Sequence, residues 1–198
     1  MNKLFASTLK AVLPLMVAIV FIYLFIYLIV QQNIRLVANE IPMQYALEAK
    51  AKLESGTKPE EVIAGLNLVD TKYSLFPFLI VLNANGTIKA TTCNVNGKNA
   101  MPPIGILEPS KKTGQNIVTW QPRPGIRNAI VVLPYTINGY EGYVIGGRSL
   151  SEAEKRIRFA GFQITEAIIF TLLAAFLTSL IVQYRIWLKI RSYGKQRR

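Results

Sequence analysis

Two long apolar runs, one near each end, constrain this chain more than anything between them. Ala11 to Val30 is about twenty residues without a charge. Ile168 to Ile186 is nearly as long and carries one charge, Arg185, at its far end. A helix rises about 1.5 Å per residue, so each run is long enough to cross a hydrocarbon core of about 30 Å. Between them lie roughly 130 residues of ordinary globular composition. The expected layout is a tail over 1–10, a transmembrane helix over 11–30, a folded domain over 31–158, a second transmembrane helix over 159–186 and a basic tail over 187–198.

The first run is longer than a secretory signal core and exits into Gln31-Gln32-Asn33-Ile34-Arg35 with no small-residue cleavage site, so it reads as an uncleaved signal anchor. Basic residues near the spans set the orientation. Lys3 and Lys10 precede the first span; Arg185, Lys189, Arg191, Lys195, Arg197 and Arg198 close the second, and neither tail holds an acid. These tails supply eight of the formal net charge of +12. The expectation is a two-pass protein of the plasma membrane with both termini cytoplasmic and the central domain outside. Arg156 and Arg158, at the outer mouth of the second span, weaken that bias without reversing it.

The basic balance is therefore a signal of topology and of membrane lipid, whose anionic headgroups attract juxtamembrane Lys and Arg. It is not a nucleic-acid signal, because the C-terminal cluster is short and has no folded base-reading partner. Cys93 is the only cysteine, so no disulfide forms within the chain, and it reads as a small residue on a strand face. With no histidine and a single aspartate, Asp70, the sequence offers no Ser-His-Asp or Cys-His catalysis and no usual zinc site. The reading is non-enzymatic, without cofactor or metal.

Past the first span, Ile34, Val37, Ile41 and Tyr45 keep the spacing of one helix face, and Pro42 is expected to kink that helix before Gly56 ends it. Thr57 with Glu60 fits a capping box for a short helix that buries Val62, Ile63 and Leu66. Phe78-Leu79-Ile80-Val81-Leu82, the turn Asn83-Ala84-Asn85-Gly86 and the alternating Thr87–Thr92 predict a β-hairpin. Asn85-Gly86-Thr87 also matches a glycosylation sequon, but it reads as hairpin chemistry. A short helix is expected near Ile106–Lys112, then strands over Asn116–Trp120, Arg127–Tyr135 and Gly142–Arg148. Ser149 with Glu152 and Ser151 with Glu154 offer two overlapping capping boxes for a helix running into the second span. The fold class is α+β, with five strands in one antiparallel sheet because the links are too short for parallel crossovers.

That order resembles the extracytoplasmic sensor domains of the Cache family, whose sheet is PAS-like. The resemblance covers about residues 31–160. It rests on the hairpin Phe78–Ile88, on Gly142-Tyr143-Val144-Ile145-Gly146-Gly147-Arg148-Ser149-Leu150 running into Glu152-Ala153-Glu154-Lys155-Arg156, and on the helical lead-in from the first span. It implies a PAS/Cache-like domain between two transmembrane helices, signal transduction, and a small ligand such as a carboxylate or amino acid on one face of the sheet. A parallel homodimer is likewise an implication of the family, not of the spacing. Receptors of this kind continue into an output domain; here about twelve residues follow the second span, so signalling is expected to pass to a separate partner.

The candidate ligand-binding residues are Trp120, Arg123, Arg127, Tyr135 and Tyr143. Arginine grips carboxylates and phosphates bidentately, and aromatics wall pockets. The plainer alternative is that Trp120 is core and the arginines a solvated loop. Arg148 is expected to pair with Glu152 or Glu154, and Glu166 to sit at the outer interface near Arg158. Small residues at Thr171, Ala174, Ala175, Thr178 and Ser179 suit helix packing within the membrane, against the first span or a second chain. Two functions follow: an extracytoplasmic sensor for a small, anionic ligand, or an accessory or assembly subunit of a membrane complex that uses the domain as a docking surface.

Overall fold

The computed structural model describes residues 2–196, with side chains at residue 6 and over 8–189. The expectations placed on the side chains of Lys3, Arg191, Lys195, Arg197 and Arg198 lie outside the described residues. In chain order the elements are α1 (Asn2–Val37), α2 (Glu40–Glu54), α3 (Pro59–Val62), β1 (Val69–Asp70), β2 (Phe78–Asn83), β3 (Ile88–Thr91), β4 (Cys93–Val95) and β5 (Lys98–Asn99). A 3-10 turn (Ile104–Ile106), α4 (Leu107–Thr113), β6 (Asn116–Arg123), β7 (Ile126–Ile137), β8 (Tyr140–Ser149) and α5 (Ser151–Gln196) complete the chain. Two compact units result, one spanning Asn33–Arg156 and the other formed by the stretches before and after it.

The Asn33–Arg156 unit is built on a five-stranded antiparallel sheet ordered β3-β2-β8-β7-β6. Its core strands are nearly continuous apolar runs, Phe78–Leu82, Ala129–Leu133 and Tyr143–Ile145, and all are buried. A strand can be apolar at every position only if both of its faces are covered. α2 covers one face, where Ala46, Ala49 and Leu53 meet Leu79, Val81, Val131, Leu133 and Val144. The other face carries Phe78, Ile80, Leu82, Ile130, Val132, Tyr143 and Ile145, closed by Val69, Cys93 and Leu107.

Two adjacent glycines on β8 explain how tightly these layers approach. A Cβ on Gly146 would run into the Pro42 carbonyl and Ala46 of α2, and a Cβ on Gly147 would run into the Phe78 ring. Successive residues of a strand point to opposite faces, so the pair clears space on both at once. Gly142 does the same for the Tyr135 ring.

Several expectations change. The helix breaks at Ala38-Asn39, not at Pro42, which lies buried in the first turn of α2, where no backbone donor is needed. The buried stripe of α2 is Pro42, Ala46, Ala49 and Leu53, one position on from the expected Ile41 and Tyr45, because small residues let the helix sit close above Gly146. α3 is capped by Lys58 without a side-chain bond, so the Thr57–Glu60 box does not form, and Leu66 is exposed. Gly56, with φ +98°, does follow the C-cap of α2 as expected.

A second sheet, β1-β4-β5, was not expected, and its β1–β4 pair is parallel. The crossover that a parallel pair needs is supplied by the intervening β2–β3 hairpin. The boxes expected at the start of α5 do not form either: Glu152 is held by Arg148 (3.3 Å) and Arg156 (2.5 Å), and Glu154 by Arg127 (2.8 Å).

Two helical stretches, Thr8–Glu54 and Ser151–Lys189, each shared between the two units, are long and apolar enough to cross a membrane by length and composition. Within the unit formed by the stretches before Asn33 and after Arg156, the hydroxyl groups of Tyr23 and Thr171 share a hydrogen bond of 3.0 Å, so Thr171 of α5 faces α1 there, whereas Ala174 and Thr178 are exposed. Glu166 is exposed.

Candidate functional site

The five candidate ligand residues do not converge. Strand alternation separates the three aromatics: Tyr143 and Trp120 lie on the Phe78 face, whereas Tyr135 lies on the α2 face. Trp120 is buried and packs edge-on against Phe78, with ring centroids 6.3 Å apart, so it is core. Tyr135 is buried beneath Gly142 and its hydroxyl reaches the Leu82 carbonyl at 3.5 Å; burial raises its pKa. A single pocket lined by all five residues is therefore not formed.

The two arginines do come together. β6 and β7 join in a tight hairpin in which Arg123 pairs with Ile126 across Pro124-Gly125, and Gly125 takes the φ of +80° that the turn demands. The ladder register shifts between Trp120 and Arg123, which re-aims this end of the hairpin. Arg123 and Arg127 thereby line a cleft of about 320 Å³ with Thr71, Lys72, Asn96, Ser149, Ser151 and Glu154.

The opposite wall of the cleft is shaped by Asp70. One of its carboxylate oxygens accepts the Lys72 N–H at 2.9 Å and the other the Asn96 N–H at 3.2 Å. A carboxylate bridging two backbone donors holds the ends of β1 and β4 in one arrangement. Asp70 and Glu141 are separately engaged, since Glu141 takes Lys111 at 2.5 Å. That contact raises the Lys111 pKa. Asp70 also adds to the effect of burial on Cys93, whose thiol is pushed up to about 12 and stays protonated.

Chemically, the cleft holds three cations and one acid. Arg127 donates to Glu154, and Lys72 lies 4.8 Å over the Tyr73 ring. Thr71 is 1% exposed, yet its hydroxyl has no hydrogen-bond partner. Asn128, fully buried beside this end of the hairpin and opposite Ser149 in the β7–β8 register, leaves both amide atoms unpartnered. Buried polar atoms without partners are rare and costly. Among the described residues no cluster of His, Cys, Asp or Glu is suited to a metal.

Arg123 and Arg127 were visible in the sequence. Thr71, Lys72 and Asn96 were not, since they lie in turns that follow strands of two or three residues whose pairing no local pattern announces. Elsewhere, Arg148 pairs with Glu152 as expected, and it also donates to the Leu75 carbonyl at 2.8 Å. That contact tethers a loop whose Leu68, Tyr73 and Phe76 are largely exposed. No family model matches the chain, and neither a curated protein nor a solved structure was found to be similar to it.

Proposed function

We propose that this chain is a membrane-anchored sensor module of PAS/Cache type, whose domain lies outside the cytoplasm and binds a small anionic ligand. The observation that carries the reading is the cationic cleft, because it joins a binding surface to the start of the helix that contains the second apolar run. Arg127 bonds Glu154 in the first turn of α5, and α5 continues without a break from Ser151 to Gln196. A ligand that changes the Arg127 contact changes how that turn is held, and a rigid helix carries the change toward the membrane. A separate partner then receives the signal. The apolar helices and the basic flanks support two spans with cytoplasmic termini.

The test is a melting-temperature screen of the full chain in detergent micelles against small carboxylates, amino acids and phosphates. A ligand that binds only the native state raises the melting temperature, by about 2.7 kcal/mol of stabilisation at a hundredfold excess over Kd. The expected result is a shift with an anion that is lost in Arg127→Ala. No shift with any compound, for a chain that melts cooperatively, overturns the sensor reading.

A second reading has its own observation. The exposed side chains of Leu68, Tyr73 and Phe76 suit a docking surface on an accessory subunit of a membrane complex. Co-purification of a larger complex that is lost in a Tyr73→Ser/Phe76→Ser double variant favours it.

A further inference from the structure

Resting on the ligand-binding reading above, we infer that Glu154 is a built-in competitor for the anion site. A small carboxylate-bearing dianion occupies the cleft by taking Arg127 from it, with the Thr71 hydroxyl as the inner contact. Three observations on different elements support this.

The first is charge. Lys72, Arg123 and Arg127 line the cleft with Glu154, and the Asp70 carboxylate lies behind the Lys72 and Asn96 backbone. With Glu154 in place one positive charge remains uncompensated, and with Glu154 displaced there are two. A site of this size and sign favours a small ligand with more than one negative charge.

The second is the nature of the bond to be exchanged. Arg127 and a Glu154 oxygen are 2.8 Å apart, with side-chain exposures of 46% and 31%. An ion pair this wet is weak, because water and salt screen it. The guanidinium already presents carboxylate-binding geometry, so an incoming carboxylate needs no remodelling of the arginine, only the departure of Glu154.

The third is Thr71. Thr71 borders the cleft, and its hydroxyl is buried and lacks a partner. An unpaired buried hydroxyl destabilises the empty protein, and a ligand oxygen placed against it removes that penalty. Thr71 is thus predicted to matter more to the loaded protein than to the empty one. A group that served only packing would behave in the opposite way.

Exchange at Arg127 also removes the side-chain tie between β7 and the first turn of α5. The Leu150 N–H still donates to the Arg127 carbonyl at 2.8 Å, and Arg148 with Glu152, outside this cleft, stays in place.

The experiment is calorimetric titration of the full chain in neutral detergent with succinate, and with acetate as the single-charge control. Wild type, Glu154→Gln and Thr71→Val are compared. Glu154→Gln keeps the shape and removes the competing charge, so it binds succinate about two- to fivefold more tightly than wild type, the range of an exposed ion pair. Thr71→Val binds about tenfold more weakly, the loss of one hydrogen bond to a charged group, while its ligand-free melting temperature is equal or higher. Hydrogen exchange in the first turn of α5 becomes faster in wild type loaded with succinate.

Succinate binding to wild type with no gain in Glu154→Gln overturns the competitor and leaves the sensor reading standing. A fall in the ligand-free melting temperature of Thr71→Val shows that the hydroxyl serves the fold and removes it from the site. Acetate binding as tightly as succinate overturns the dianion. Absence of binding to wild type and Glu154→Gln alike takes down the sensor reading as well.

Discussion

Gly146 and Gly147 are where single atoms decide the packing. A methyl group at 146 meets the Pro42 carbonyl, which is backbone and cannot rotate aside. Gly146→Ala is expected to cost about 1–3 kcal/mol, the usual penalty of overpacking, and a urea midpoint measurement checks it. Cys93 gives a pH prediction. Its thiol titrates near 12 in the folded domain, above the ordinary thiol value of 9.0. The unfolded chain therefore loses this proton first. Its contribution to stability is whole below pH 9 and drains away as pH rises from about 9 toward 12. The alkaline limb of a stability profile should flatten in Cys93→Ala, and a thiol reagent at pH 8 should label the protein only after unfolding. The glycine pair stood in plain view in the sequence, but its cause did not, because Phe78 and Ala46 approach it from far along the chain.

At the scale of elements, α2 holds the sheet through a narrow alanine stripe that ends in Leu53. Leu53 is 2% exposed, and Leu53→Ala should lower stability by about 2–5 kcal/mol in the same denaturant assay. The five main strands were legible because their apolar runs are long and their turns carry Asn85-Gly86 and Asn138-Gly139. Asn138 and Gly139 indeed take positive φ values, 48° and 81°. The short sheet was not legible: two or three residues hold no period, and a parallel pair bridged by a hairpin leaves no local trace. The capping boxes at α5 failed for an electrostatic reason. Arg127, Arg148 and Arg156 engage Glu152 and Glu154, and Arg156, with a smaller part from Arg148, pulls the Glu152 carboxyl below its ordinary pKa. The hold on Glu152 persists above that ordinary value and is lost as the solution is acidified through the lowered one.

For the whole molecule, the orientation proposed from the charged tails can be read with one engineered thiol. Asn85 is exposed at the β2–β3 turn. In an Asn85→Cys/Cys93→Ala chain, a membrane-impermeant maleimide added to intact cells should label the protein; labelling only after the cells are broken would invert the topology. Of the candidate site, the sequence showed the arginines and missed the wall facing them, since Asp70 assembles that wall from residues more than twenty positions apart. The double glycine of β8 also bears on how this domain changes over evolutionary time. Where a strand is reduced to backbone, the two cores it divides are separated by little more than one peptide thickness. A larger residue at 46 and a reoriented ring at 78 then press on the same strand from opposite sides. Substitutions at those positions are expected to co-vary through β8, so that the helix-covered and loop-covered halves of the domain diverge together and not independently.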